Sequence, residues 1–279
     1  MITFEGQVVL VTGAGRGLGA AHARLLAARG ATVIVNDAGV ERDGSGGDPG
    51  PAADVVAGIV AAGGRAEADG QNLETRDGCE QLVHRVLDRH GRIDALVHSA
   101  GIVRYQGIVD TSEQEWQRML DVNVGAAWWL CRSAWPSMAS REYGRIVLTT
   151  SGFALRVVPG ADVTGYSVGK AAQFGLMNAL AAEGAPCGIN VNAISPVAAT
   201  RIFRRTVADG EMSAESVSPA VAYLASRECR LTGQVVVAQG GEFALDTMHR
   251  SDVAELGPTA EPEDLRTFVE AHATELPDI

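Results

Sequence analysis

Aromatic residues are scarce in this chain of 279 residues: they fill 5% of positions, while the apolar class as a whole fills 46%. A core of that composition is built from Ala, Val, Leu and Ile, which suits a parallel sheet buried on both faces by helices. Cysteine is scarcer still. Cys79, Cys131, Cys187 and Cys229 stand far apart with no CxxC pair, so they read as reduced core thiols of a cytoplasmic protein, with no metal site expected. No apolar run reaches the roughly 18 residues that a membrane span needs, and no basic segment followed by an apolar stretch opens the chain. Cations are outnumbered: 23 Lys and Arg face 34 Asp and Glu, a net charge of −11. That balance argues against nucleic acid or an anionic membrane surface as a partner. Nothing resembling a linker divides the sequence, so one domain is expected over residues 1–250, with an acidic, Pro-containing extension over 251–279.

What is present is organised around Val8 to Gly19, which reads VVLVTGAGRGLG. An apolar strand runs into Thr12-Gly13, and a helix is expected from about Gly17-Leu18-Gly19. Glycines at 13, 17 and 19 remove side chains where the chain turns tightly and where a phosphate meets the backbone, at a helix N-terminus carrying partial positive charge. A second strand, Thr32–Val35, leads to Asp37, about 20 residues on. An acid there accepts hydrogen bonds from ribose hydroxyls and repels a 2′-phosphate. Strand, glycine loop, helix and acid together predict a dinucleotide site.

The rest of the chain alternates strands with helices, which implies right-handed crossovers and a doubly wound sheet. Strands are expected at Arg65–Gly70, Ala95–His98, Arg145–Thr150, Asn190–Ile194 and Val235–Ala238. Ala38–Pro51 is a Gly/Asp/Pro-rich loop with a mobile tip. Ser112-Glu113-Gln114-Glu115 has the spacing of a capping box and opens a long helix to about Ser137. On that helix Trp128, Cys131 and Trp135 form a stripe that serves either the core or an oligomer contact. The architecture expected is a single-domain Rossmann fold with seven parallel strands and helices on both faces.

Ligands of such sheets bind beyond the carboxyl ends of the strands. The fifth strand ends in Thr149-Thr150-Ser151, and the helix from Thr164 carries Tyr166 and Lys170 four residues apart, on one face. A cationic lysine beside a phenol favours the phenolate and brings tyrosine towards general acid–base use, while a serine hydroxyl can hold a carbonyl or alcohol oxygen. His98, at the end of the fourth strand, reads as a packed residue.

These motifs resemble the classical short-chain dehydrogenases/reductases over about Gln7 to Glu242. The matching residues are Thr12–Gly19, Ser99-Ala100-Gly101, Val122-Asn123-Val124, Ser151, Tyr166-Ser167-Val168-Gly169-Lys170, and Ser195-Pro196 followed by Thr200. The resemblance implies an NAD(P)-dependent oxidoreductase acting on CH–OH groups. Tyr166 would be the proton donor and acceptor, Lys170 would lower its pKa and bind the nicotinamide ribose, and Ser151 would hold the substrate oxygen. Asn123 would kink its helix and anchor a water that relays protons to Lys170. The cofactor would meet Gly13, Arg16, Gly17, Leu18, Gly19, Asp37, Ser99, Ala100, Gly101, Pro196 and Thr200, with Asn72 and Leu73 flanking the adenine. Arg16 suits a 2′-phosphate, but Asp37 faces it, so NAD is expected over NADP. A homodimer or homotetramer joined through the long helix and the Tyr166 helix is also implied.

Departures from the family pattern are His98-Ser99 in place of two asparagines, Asn72 in place of aspartate, Val197 after the proline, and a Ser151–Tyr166 interval two residues longer than usual. Within the family, Val35-Asn36-Asp37 with its long loop, and Tyr143–Val147, are similar to the D-3-hydroxyacyl-CoA dehydrogenase domain of peroxisomal multifunctional enzyme type 2 and its bacterial relatives. The substrate expected is an apolar secondary alcohol or ketone, such as a hydroxyacyl thioester or a hydroxysteroid. Ile202, Phe203, Val207 and Met212 would cover it. An NADP-dependent biosynthetic ketoreductase and a non-catalytic dinucleotide sensor or scaffold are the alternatives.

Overall fold

Unbroken runs of Val, Leu and Ile form the middle of the sheet in the computed structural model, which describes residues 1–41, 45–199, 212–248, 253 and 255–272. β1 (Val8–Thr12) is buried along its whole length and pairs in parallel with β2 (Thr32–Asn36) and β4 (Ala95–His98). β3 (Arg65–Asp69) lies outside β2, and β5 (Gly144–Thr149), β6 (Ile189–Val197) and β7 (Val235–Gln239) follow β4. The order is β3-β2-β1-β4-β5-β6-β7, all parallel.

The last strand departs from the expected seven. β8 (Glu242–Asp246) returns antiparallel on β7, with Gln239 opposite Glu242, so the sheet has eight strands. The turn is Gly240-Gly241, both with positive φ (56° and 89°). A Gly-Gly pair supplies that geometry in a two-residue hairpin whose twist matches the strands.

Side chains alternate between two helical layers, as the period of a strand requires. Val9, Val11 and Val33 pack against Ala20, Leu26, Val55 and Leu224 from α1 (Gly17–Ala28), α2 (Gly50–Ala61) and α8 (Ser218–Leu224). Leu10, Leu96 and Ile146 pack against Leu82, Leu130 and Met177 on the other face. Those belong to α3 (Arg76–His90), α5 (Ala126–Ser140) and α7 (Thr164–Gly184). His22 of α1 joins the first layer to α8 through a 2.8 Å contact between its Nδ1 and Ser218 Oγ.

The long helix from Ser112 is interrupted. α4 (Glu113–Leu120) begins with the expected capping box, in which the Ser112 hydroxyl accepts from Glu115 N–H and the Glu115 carboxylate accepts from Ser112 N–H. A π turn, Asp121–Gly125, then joins α4 to α5, with Asn123 at its centre. The Trp stripe splits accordingly: Cys131 is buried in the α3/α5 layer, Trp135 packs partly on it, and Trp128 stays half exposed.

Short α6 (Gly152–Leu155) follows β5, and the lengthened connection to α7 turns through Gly160 and Asp162, both at positive φ. α9 (Pro262–His272) lies in the expected C-terminal extension. The tip of the Ala38–Pro51 loop, residues 42–44, is outside the described residues. Among the described residues no helix is long and apolar enough to cross a membrane.

Candidate active site

The strand order reverses between β1 and β4, and the crevice at their carboxyl ends is where an open α/β sheet receives ligands. Two glycines make the crevice. A Cβ on Gly13 (φ 63°) would stand 2.7 Å from Ala100 Cα and N, and one on Gly19 would collide with Gly13 O. Backbone therefore lies directly on backbone, and α1 starts at the floor of the groove. Its first turn carries no acidic residue, and Arg16 at the N-cap makes no side-chain cap, so N–H groups there face the groove.

A cavity of about 330 Å³ opens over this floor. Gly13, Arg16, Gly17, Leu18, Gly19, Asp37, Asn72, Leu73, Ser99, Ala100 and Gly101 all line it, so the structure brings the expected nucleotide-contacting residues together. Asp37 follows β2, and its carboxylate is already structural: Oδ2 accepts from Gly15 N–H (2.8 Å) and Oδ1 from Gly39 N–H (2.7 Å). Each oxygen keeps a further lone pair for a ribose hydroxyl. Arg16 pairs with Glu41 at 4.0 Å. Asn72 Oδ1 accepts from Glu74 N–H, and Glu74 pairs with Arg118 on the cavity wall. The Ser99 Oγ is buried with no hydrogen-bond partner among the described residues, as a group built to meet a ligand would be. Glycine cradle, bare helix terminus and orphaned hydroxyl fit a dinucleotide.

A second cavity, about 530 Å³, shares Leu18, Ser99 and Gly101 with the first and continues to Ser151, Tyr166, Lys170 and Pro196. Ser151 is the N-cap of α6, where its Oγ accepts from Phe153 N–H (3.3 Å). Its hydroxyl also hydrogen-bonds the Tyr166 phenol and draws the phenol pKa down. Burial outweighs that bond and pushes Tyr166 up to about 12, with Tyr105 adding to the rise. Burial moves Lys170 the other way, down to about 8. Lys170 Nζ donates to Thr149 O (2.9 Å) and lies 5.7 Å from the centre of the Tyr166 ring. Proximity of the two groups is as expected from their spacing, but the lysine meets the ring and a carbonyl, and burial dominates the phenol. The two hydroxyls beside Ser151 are engaged elsewhere, Thr149 with His98 O and Thr150 with Lys170 O.

Asn123 sits in the π turn, and its side chain bonds both ways to the backbone of Ile102, accepting at 3.2 Å and donating at 3.0 Å. Its own carbonyl accepts from Gln173 Nε2 (2.8 Å). A Cβ on Gly101 would lie 2.8 Å from Asn123 Oδ1 and 3.2 Å from Lys170 Nζ, so glycine is needed where β4 hands the chain to the site. Beneath it, His98 Nδ1 lies 2.9 Å from Thr12 Oγ1, which also accepts from Ala100 N–H. Burial, with Lys170 nearby, lowers His98 to about 3, so it is neutral. Thr12 was part of the glycine motif in the sequence, whereas Gln173 and Tyr105 carried no signal there, because only the fold brings them to the site. Thr200, Ile202, Phe203 and Val207 lie outside the described residues, and Met212 is half-buried.

Residues 7–209 match the family model for short chain dehydrogenase. The chain is 37% identical over 253 residues to a Mycobacterium tuberculosis protein named for the short-chain type dehydrogenase/reductase class, covering 90% of this chain and 88% of that one. It is 35% identical over 261 residues to the peroxisomal multifunctional enzyme type 2 of Drosophila melanogaster, covering 92% of this chain and 43% of that longer one. A short chain dehydrogenase from Mycobacterium avium superposes with a TM-score of 0.84 at 35% identity, over 100% and 98% of the two chains. One from Burkholderia cenocepacia, solved with NADP, gives 0.74 at 31%, over 85% and 98%. The chain belongs to the short-chain dehydrogenase family. Its activity class is that of NAD(P)-dependent oxidoreductases acting on CH–OH groups.

The opposed shifts of Tyr166 and Lys170 carry a pH signature. An alcohol oxidation that uses Tyr166, as proposed below, needs the phenolate, and with the phenol near 12 that fraction grows about tenfold per pH unit between roughly pH 7 and 9. A carbonyl reduction that uses it needs the phenol and should stay level over the same range. Lys170 near 8 loses its own charge across that range, so it can favour the phenolate chiefly at the lower end, and Lys170→Met should move the onset of the rise to higher pH. Rate profiles in both directions check this; a parental profile in Lys170→Met would remove the lysine from the electrostatics of the phenol.

Proposed function

We propose that the protein transfers hydride between NAD and an apolar secondary alcohol or ketone, with Tyr166 as general acid and base. The observation that carries this reading is the meeting of Ser151, Tyr166 and Lys170 where the glycine-floored groove runs into the second cavity. Bound there, a nicotinamide ring would accept or supply the hydride. The residues of the chain do the rest. Ser151 holds the reacting oxygen. Tyr166 Oη takes the alcohol proton in oxidation and returns it in reduction. Lys170 stabilises the phenolate and binds the nicotinamide ribose. Asn123 fixes Ile102 and, through it, the floor beside Lys170, and connects the proton path to water. Pro196 bounds the nicotinamide end.

Substrate character follows from the cavity wall. Phe153, Val158, Pro159, Ala161, Val197 and Ala198 line its outer part, which favours an apolar body such as an acyl chain or a fused-ring skeleton. The likeness to peroxisomal multifunctional enzymes supports a hydroxyacyl thioester, and the apolar wall serves a hydroxysteroid equally. The experiment is a panel of secondary alcohols and hydroxyacyl thioesters with NAD, followed at the nicotinamide absorbance. No oxidation of any member, with either cofactor, would defeat the reading. Unpaired thiols at Cys79, Cys131, Cys187 and Cys229 suit the cytoplasm.

The cofactor preference rests on charge. Asp37 lines the nucleotide cavity, and Arg16, the cation that would answer a 2′-phosphate, is paired with Glu41. NADH should therefore bind more tightly than NADPH, and Asp37→Ala should narrow the gap by about tenfold. Fluorescence titration of both cofactors decides it, and equal or tighter NADPH binding by the parent contradicts it.

We also propose a homodimer or homotetramer joined through α4–α5 and α7, whose outer faces expose Trp128 and Val168. Light scattering at micromolar concentration should give a multiple of the 29.1 kDa chain; a monomer there would reject the assembly.

A further inference from the structure

Asn123 is the residue expected to anchor the water of a proton path, yet each of its polar groups already holds a partner in the protein. Its side chain is bonded both ways to Ile102, and its carbonyl accepts from Gln173 Nε2 at 2.8 Å. Gln173 is wholly buried, on the face of α7 that also carries Lys170 and Met177. A carbonyl calls for a donor, so the NH₂ end of the Gln173 amide meets Asn123 and the oxygen end faces away. That oxygen, Oε1, is buried with no hydrogen-bond partner among the described residues.

Packing brings Gln173 and Lys170 to one place. They stand three residues apart on α7 and so are neighbours on the helix surface. One turn before Gln173, a Cβ on Gly169 would lie 2.8 Å from Asn123 Cβ, so α7 rests on the π turn with no side chain between them. On the other side, Asn123 Oδ1 and Lys170 Nζ both border the point where a Cβ on Gly101 would stand. Lys170, Asn123 and Gln173 therefore form one buried group. Within it Lys170 Nζ has Thr149 O as its single hydrogen-bond acceptor among the described residues, although an ammonium carries three donors. An unanswered buried amide oxygen is costly, and so are unanswered N–H donors. One water serves both, accepting from Nζ and donating to Oε1.

We propose that Gln173 is a positioning residue for the reaction: its amide N–H holds the Asn123 carbonyl, and its Oε1 holds a water hydrogen-bonded to Lys170 Nζ, from which Lys170 recovers a proton after each reduction. This rests on the function proposed above. As the carbonyl carbon takes up hydride, Tyr166 gives its phenol proton to the carbonyl oxygen and is left as phenolate. The Lys170 ammonium returns a proton to the phenolate, the water passes one to the lysine amine, and solvent restores the water. Lys170, lowered by burial to about 8, exchanges a proton readily near neutral pH. Asn123 reaches the water through Gln173.

Two measurements test this. A crystal structure of the parent protein should show a water within hydrogen-bond reach of both Gln173 Oε1 and Lys170 Nζ. The second compares the parent with Gln173→Leu, which keeps an apolar side chain in the helix layer and loses both amide contacts. Each is preloaded with NADH, with binding checked by fluorescence, and mixed rapidly with a ketone that the parent reduces. The first turnover spends the proton already on Tyr166, whereas later ones wait for its return. Gln173→Leu should therefore keep its first-turnover rate within about twofold of the parent and lose at least about tenfold in steady-state kcat. Its steady phase should also slow more in D₂O than that of the parent. A Gln173 Oε1 bonded elsewhere in the crystal, a steady-state kcat within about twofold of the parent, or an equal fall in first and later turnovers overturns the inference alone. Should Gln173→Leu fail to fold, the parent's crystal structure decides. Failure of the parent to reduce any ketone with NADH or NADPH overturns the proposed function, and this inference with it.

Discussion

The backbone of Gly13 rests on the backbone of Ala100 with no room for a β-carbon between them. That contact closes the end of β1 against the end of β4 and fixes where the sheet opens. Gly19 continues it by laying the first turn of α1 on Gly13. A side chain at either place would push strand and helix apart and fill the groove that the nucleotide cavity occupies. The glycines cost chain entropy in the unfolded state, and the all-buried strands around them offset it through apolar burial. From this floor the site extends in one direction only: Gly101 passes beneath Lys170 and Asn123, again where no Cβ fits, and the second cavity begins.

Burial then sets the chemistry. Tyr166 is enclosed by a separate apolar cluster with Ile102, Val103, Met119 and Val163, and burial raises its phenol and lowers the Lys170 ammonium. Desolvation disfavours the charged form of each group, so the phenol is neutral while Lys170, near 8, stays largely cationic at neutral pH close to it. A phenol near 12 is a weak acid, and in the proposed reaction a cation beside it would favour its base form. The neighbouring hydroxyls are consumed in bracing, Thr150 onto Lys170 O and Thr149 onto His98 O, which is why Ser151 is the one proposed to meet the substrate.

Much of this was legible in the sequence because it lay in local signals. The VVLVTGAGRGLG stretch, the Ser112–Glu115 box and the Tyr166/Lys170 spacing each report a short-range geometry, and each is found in place. The eighth strand carried a signal too, a Gly-Gly turn between VVVAQ and EFALD, but its Phe243 and Leu245 are exposed and lack the buried pattern of the other strands. The π turn was not legible, since Asp121–Gly125 has no composition that separates it from ordinary helix. The same holds for Asp37: its fitness to meet a ribose was readable, whereas its bonds to Gly15 and Gly39 depend on how two loops meet.

The central claim is that Tyr166 carries the proton while the groove, independently, carries the cofactor. Substitution of Tyr166 by Phe separates the two, because it removes the hydroxyl and keeps the ring that packs on Phe153 and faces Lys170. The account predicts that Tyr166→Phe binds NADH as the parent does and loses at least about a hundredfold in turnover of a confirmed substrate. Near-parental turnover with NADH binding intact would contradict it.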